Sequence, residues 1–418
     1  MNKQVSHIPS GYKPSPLGII PEDWEVKRLG EVGEVFSGGT PNTEIQEYWN
    51  GNIDWCTPTD ITLLNGAVYI ERTALKITDL GLKSSSAVLL PPNSIIVCTR
   101  ATIGNAAISL HQIATNQGFK NIVPNENIDT LFLYYTIVNN KIRLIRLGNG
   151  STFLEVSKSD FENLTIPVPP LPEQQRIVSV LSLWDTAIAK QTALIEKLTL
   201  RKRGLMQQLL TGKKRLKGFE REWKNIKLGS IAERITRKNE EDNKNVVTIS
   251  AQRGFVVQTD FFNKSVASEI LDGYFLVHKD EFCYNKSYSN GYPMGAIKRL
   301  KSFDKAVVTT LYICFRLKEK PQTNIDFFEQ YCESGLLNKE LVKVANEGGR
   351  AHGLLNVTPS DFFNMHMSVP SINEQNAIAL VLVTADKEIE LANEKLARLQ
   401  EEKRGLMQVL LTGKKRVK

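Results

Sequence analysis

The sequence is poor in cysteine, and its cysteines follow no pairing pattern. Cys56, Cys98, Cys283, Cys314 and Cys332 are odd in number, scattered, and form no C-x-x-C pair. That argues against a disulfide framework and a zinc knuckle. No apolar run reaches the ~18 residues a membrane span needs. Residues Met1 to His7 carry no apolar signal-peptide core, so a cytoplasmic protein with reduced thiols and no membrane partner is expected. His7, His111, His278, His352 and His366 are isolated, without metal-ligand spacing, so no metal site is expected. A phosphate-binding P-loop is missing, because Gly212-Lys213-Lys214 lacks both the hydroxyl residue and the spacing. No N-P-P-[FY] or D-P-P-[FY] tetrapeptide of an amino-methyltransferase occurs. Glu22, Asp23, Glu25 and Lys27 are residue types a nuclease site uses, but they read better as a solvated turn before a strand. The chain is therefore expected to bind no cofactor and to carry no catalytic residue.

What the chain does have is positive charge and repetition. A net charge of +8 and a pI near 9.0 favour a polyanionic partner. Hydrophobic residues at 41% and charged residues at 23% are ordinary for a globular protein. A length of 418 residues exceeds one ordinary core, so two or three domains are expected.

The sequence is written twice. Lys202 to Arg215 returns as Lys403 to Arg416, with only Gln208 changed, to Val409. The same offset aligns Ser159-Asp160-Phe161 with Ser360-Asp361-Phe362, Glu173-Gln174 with Glu374-Gln375, and Asp185 with Asp386. Near the front, Trp24 to Gly30 answers Trp223 to Gly229. Each half thus holds a variable segment followed by a similar tail.

The tails read as long helices. Ile177, Leu181, Trp184, Ile188, Gln191, Ile195, Leu198, Lys202, Leu205 and Leu209 step by four and three, the a/d seam of a coiled coil. The second copy runs Ile378, Leu382, Ala385, Ile389, Ala392, Leu396, Leu399, Lys403, Leu406 and Leu410, in the same register. Prolines or a polar cap precede each helix, and Thr-Gly at Gly212 and Gly413 ends it. From Ile177 to Leu209 such a helix spans ~48 Å at ~1.5 Å per residue. The segment joining the helices leaves the end of one and enters the start of the other. Since compact domains often have neighbouring termini, the helices should run antiparallel, with a lobe at either end and a pseudo-two-fold axis between. The variable segments look mixed α/β. Strand-like runs occur at residues 94–99, 106–110, 245–249 and 306–310, and a helix at 130–146 is matched at 326–344. The expected division is 1–16 extension, 17–171 first lobe, 172–213 first helix, 214–372 second lobe and 373–418 second helix.

Several motifs follow one another in the first half. They are Phe36-Ser37-Gly38-Gly39-Thr40-Pro41, Tyr48 to Trp55, Thr99-Arg100-Ala101-Thr102-Ile103-Gly104, Asn116-Gln117-Gly118, and Ile166 to Ile177. In this order, followed by a heptad helix and repeated, they resemble the specificity subunits of type I restriction–modification systems over nearly the whole chain. The resemblance implies two α/β (α+β) target recognition domains, joined by antiparallel coiled-coil helices. Each domain would read one half of a bipartite site in double-stranded DNA. The helices would set the spacing and dock two modification subunits. Those partners would use S-adenosylmethionine, and restriction subunits would use ATP and Mg. The second half departs from the pattern. It keeps only part of the proline signature, in Ser368 to Gln375, and lacks an S-G-G-T-P loop after Leu228. Lys286 to Ile297 stands out instead, which implies two different half-sites.

Reading DNA needs phosphate neutralisation for affinity and base-edge contacts for sequence. The basic helix ends Lys213, Lys214, Arg215, Lys217 and Lys414, Lys415, Arg416, Lys418 are candidates for phosphate; they could equally complement a helix dipole or face a partner. For bases, arginine or lysine suits guanine, asparagine or glutamine suits adenine, and small polar residues suit either. Gly-containing loops with such residues give Ser37, Thr40, Arg100, Thr102, Asn105, Asn149 and Ser151 in the first lobe. In the second they give Lys286, Tyr288, Asn290, Tyr292, Arg350 and His352. Each is also the sort of residue an ordinary turn uses. Two other classes compete: a fused methylating or nicking enzyme, which needs the missing motifs, and a scaffold joining two ligand-binding lobes, which would show no salt-dependent duplex binding.

Overall fold

A computed structural model of the chain describes residues 8–148, 154–258, 271–319, 323–345 and 355–417. The protein divides into two compact units, residues 1–193 with 393–418, and residues 194–392. The division falls inside both long helices, Leu171–Leu209 and Ile372–Leu410. Each unit therefore holds one lobe, part of one helix and the complementary part of the other.

In the first unit the lobe is built on a five-stranded sheet. Its order is Gly33–Ser37, Phe119–Pro124, Ile95–Cys98, Ala106–Ser109 and Tyr69–Ile70. All neighbours are antiparallel except the last pair. The residues of Ile95–Cys98 and Ala106–Ser109 are buried throughout, as strands covered on both faces must be. A smaller sheet places Trp49–Cys56 between Ile113–Thr115 and Leu75–Ile77. Glu25–Arg28 pairs with Thr165–Val168 just before the long helix begins.

The second unit repeats the central part. Its sheet runs Ala232–Arg234, Ile313–Leu317, Phe282–Asn285, Ala296–Arg299, with the same antiparallel neighbours. Lys224–Lys227 pairs with His366–Val369, as Glu25–Arg28 does with Thr165–Val168. The helix expected at 130–146 is two helices, Thr130–Asn139 and Lys141–Leu147. Asn140 breaks it: its side chain donates to Thr136 O at 2.8 Å and accepts from Arg143 at 2.8 Å, a local alternative to the helical ladder. In the second lobe Ile325–Glu333 and Asn338–Val344 are split by Gly335 at φ +72°.

The heptad reading holds within each unit. In the first, Ile177 and Leu181 are fully buried and join Met407, Leu410 and Leu411 on the lobe core of Phe132, Tyr135 and Phe161. In the second, Ile378 and Leu382 join Leu209 and Leu210 on Phe327, Phe328 and Phe362. Trp184, Ile188, Ile195, Leu198, Ile389, Leu396 and Leu399 are half-buried. Each large seam residue fully removed from water contributes roughly 1.5–3 kcal/mol. The seam thus faces both the neighbouring helix and the lobe. Direction is antiparallel in each unit: Glu173 meets Arg416 and Asp185 meets Lys403 in the first, Glu374 meets Arg215 and Asp386 meets Lys202 in the second.

Candidate nucleic-acid interface

In the first lobe three sequence motifs separated along the chain meet at one end of the five-stranded sheet. Strand Gly33–Ser37 ends there, Ile95–Cys98 ends there, and Phe119–Pro124 begins there. Ser37-Gly38-Gly39-Thr40 turns back onto the residues before Phe119. Gly38 N–H donates to Phe119 O at 3.2 Å and Gly39 N–H to Thr115 O at 2.9 Å. Only glycine fits, since a Cβ at Gly38 would lie 1.8 Å from Asn116 O and one at Gly39 2.3 Å from Ala87 N. Trp55 holds the loop from behind, its indole donating to Gly39 O at 3.0 Å. Thr40 hydrogen-bonds the Gln117 side chain. The third motif docks on the same segment: Thr99 N–H and Oγ1 both donate to Gly118 O, at 2.8 and 3.1 Å.

Ser37, Thr40, Arg100, Thr102 and Asn105 are therefore brought together as one ridge of loops. Arg100 is exposed, and the other four are half-buried. Beside the ridge lies a concavity of about 880 Å³ lined by Arg100, Thr102, Ile103, Asn105, Lys141 and Ile145, among others. Lys141 fixes Asn105 by donating to its Oδ1 at 2.7 Å. Asn149 and Ser151 lie outside the described residues, as do Arg350 and His352.

The second lobe places Lys286, Tyr288, Asn290 and Tyr292 on one hairpin, between Phe282–Asn285 and Ala296–Arg299. This hairpin is the topological equivalent of the one carrying Arg100, Thr102 and Asn105. Val156 N–H donates to Thr99 O beside the first, and Leu355 N–H to Lys286 O beside the second. Its base is clamped. Tyr292 donates to Glu333 at 3.1 Å, and buried Lys298 reaches Glu333 at 2.6 Å and lies 4.7 Å from the Tyr292 ring centroid. Burial, with the Glu333 charge, pushes the Tyr292 phenol up, so it remains a donor at neutral pH. Gln252 donates to Asn290 O at 3.0 Å. Above this base Tyr288 stands 67% exposed.

Residues 21–200 match the family described as the type I restriction modification DNA specificity domain. A type I restriction enzyme MjaIX specificity subunit of Methanocaldococcus jannaschii is 39% identical over 194 residues, 45% of this chain and 45% of that protein. The aligned part is thus under half of that relative's length. The MjaVIII specificity subunit of the same organism aligns along 96% of this chain and 94% of its own, at 25% identity. Residues 21–200 thus carry the type I restriction modification DNA specificity domain, and the chain is similar along nearly all its length to a specificity subunit. Its fold is also that of the crystallised system S subunit from M. genitalium, at 17% identity and a TM-score of 0.51, over 93% of this chain and 96% of that one.

Two of the basic helix-end residues need correcting. Arg215 and Arg416 are not free for phosphate. Arg416 forks onto Glu173 at 3.1 and 2.6 Å and reaches Asp23 at 2.7 Å. Arg215 forks onto Glu374 at 2.6 and 2.7 Å and sits over the Trp223 ring, 5.9 Å from its centroid. Both glutamates are buried, so each arginine neutralises a charge that water cannot reach. Trp24 adds an indole N–H to Glu173 at 3.0 Å. Lys213, Lys214, Lys217, Lys414 and Lys415 stay exposed, and Lys418 lies outside the described residues.

The adjoining glutamines do matching work. Gln174 accepts from Asp129 N–H at 2.9 Å and donates to Pro169 O at 2.9 Å, and Gln375 does so with Asn324 N–H at 2.9 Å and Pro370 O at 3.0 Å. The repeated Glu-Gln pair is thus the lock between helix and lobe. Its signal was the shared offset of two polar residues in an otherwise apolar register. Among the described residues, no group of three or more His, Cys, Asp or Glu side chains is placed to hold a metal ion. No helix among them is long and apolar enough to cross a membrane.

Proposed function

We propose that this chain is the DNA-reading subunit of a type I restriction–modification complex, with each lobe reading one half of a bipartite, asymmetric duplex target. One observation carries the reading. Topologically equivalent hairpins at the same end of each lobe's sheet present different chemistry, Arg100, Thr102 and Asn105 in one and Lys286, Tyr288, Asn290 and Tyr292 in the other. A shared frame with divergent tips suits two readers of different sequence. Exposed Lys213, Lys214, Lys414 and Lys415 are available for phosphate or for a partner.

On this reading the chain supplies recognition and no catalytic group, since its sequence holds neither a P-loop nor a methyltransferase tetrapeptide. Modification subunits dock on the long helices and bring S-adenosylmethionine. Restriction subunits bring ATP and Mg. The helices set the number of unread base pairs between half-sites. The test is selection of the full-length chain against a random duplex pool, followed by a salt titration of the selected duplex. A split target of two unlike halves is expected. Affinity should fall by about 10³-fold or more between 50 and 200 mM salt if six or more phosphates are contacted. A symmetric consensus, or salt-independent binding, would refute the proposal.

A further inference from the structure

Lys120 is out of place in the lobe it occupies. It sits in strand Phe119–Pro124, with a side chain 7% exposed, next to residues that are apolar or neutral. Its ammonium lies 3.4 Å from Glu155 Oε1. The other Glu155 oxygen accepts from Arg100 Nη2, and the two residues also form an isolated backbone bridge. Burial pushes the Glu155 carboxyl up, but Arg100 and Lys120 outweigh it and hold it below the ordinary range. Glu155 is therefore a carboxylate at any neutral pH. Arg100 itself is 44% exposed at the start of a hairpin whose next residue, Ala101, has φ +56°. A left-handed alanine is a strained choice that the surroundings must enforce.

Stability does not account for this arrangement. A half-exposed arginine–glutamate pair adds only about 0–1 kcal/mol. Burying a lysine behind it is unfavourable unless the lysine has something to hold. Orientation is a better account. A guanidinium has five N–H donors. Glu155 takes one hydrogen on Nη2 and leaves four on Nε, Nη1 and Nη2, enough for a paired contact. Such a pair matches the O6 and N7 acceptors of guanine in the major groove. Among the described residues the second lobe shows no such arrangement: Lys286 and Ser287 enter its hairpin, and Ile313 pairs with Tyr284 where Lys120 pairs with Val97 in the first lobe.

We infer that Arg100 is the guanine-reading residue of the first lobe, and that Glu155, anchored by Lys120, is the positioning residue that fixes its fork. This rests on the DNA-reading proposal above. The experiment uses the full-length chain, selected against random duplexes, for the wild type and for Arg100→Gln, Arg100→Lys and Glu155→Gln. The wild type should demand a G·C pair at one position of one half-site, about tenfold or more over other pairs. Arg100→Gln should abolish that demand. Arg100→Lys should weaken it while keeping the charge. Glu155→Gln should lower it with Tm and the other half-site unchanged, and Glu155→Asp should restore part of it.

A merely structural Glu155 would lower Tm and affinity for every duplex alike, and that result overturns the inference. So does an unchanged half-site in either Arg100 variant. Should Glu155→Gln fail to fold, the Arg100 pair still decides the matter. A wild type that selects no sequence at all would sink the DNA-reading proposal itself, and this inference with it.

Discussion

Arg416 and Glu173 lie 243 positions apart in sequence, yet they form a forked, buried ion pair in the first unit. Removing the arginine leaves a carboxylate that is 2% exposed and, among the described residues, keeps the Trp24 indole as its hydrogen-bond donor. Arg416→Ala should therefore destabilise the first unit by about 3–5 kcal/mol. Calorimetry should show the loss, and Arg215→Ala should do the same to the second unit through Glu374. Asp23, at the rim of the lock, behaves differently. The Arg416 hydrogen bond holds its carboxyl below the ordinary 3.8, against the opposing effect of burial. A folded pKa below the unfolded one gives stability that is present above 3.8 and lost as pH falls through the lower, folded value. The Tm gap between wild type and Asp23→Asn should persist from pH 7 to 5 and close only in strong acid. None of these pairings was legible in sequence. A basic cluster after a helix looks the same whether it meets a phosphate or a glutamate from the other half of the chain.

At the scale of elements, the long helices were the most legible part of the chain. Their period, their register and their Thr-Gly ends all appear as expected, with Gly212 at φ +69° and Gly413 at φ +71°. The repeat also makes the glycines a paired test. Gly204 and Gly405 sit inside the helices with open space for 4 Å around the place a Cβ would take. Alanine there should raise stability by up to about 1 kcal/mol each. At Gly413 the same change meets Pro21 Cδ at 2.4 Å and an unfavourable φ, so Gly413→Ala should lower Tm. A loss at Gly204 or a gain at Gly413 in thermal melts would show that the helix ends are built differently. The break at Asn140 was less legible. Residues 130–146 keep an apolar pattern through it, and only the hydrogen bonds to Thr136 and Arg143 reveal the corner.

For the whole molecule, the duplication separates two properties that one experiment can uncouple. Inserting residues within 194–205 changes helix length and touches no reading loop. Exchanging 17–170 for another lobe changes loops and leaves the second lobe intact. On the proposed DNA-reading function, the insertion should alter the gap between half-sites and leave their bases unchanged. The exchange should alter one half-site alone. Methylome sequencing of cells carrying the complex reads both. A changed half-site after the insertion would mean that helix and lobe are not independent. The Glu-Gln locks favour the exchange, because each lobe is tied to its helices by the same contacts in both units.

The chain's own order of residues determined the repeat, the helical period and the apolar seam, because these depend on spacing along one local direction. It also determined that Ser37-Gly38-Gly39-Thr40, Thr99 to Gly104 and Asn116-Gln117-Gly118 were worth attention. Only the tertiary structure decided that those three segments share one end of a sheet, and that Arg100 is gripped by Glu155 while Arg416 is spent on Glu173. The physical reason is that a charge takes its role from whatever lies within a few ångströms. For these residues the neighbours come from strands and helices tens to hundreds of positions away.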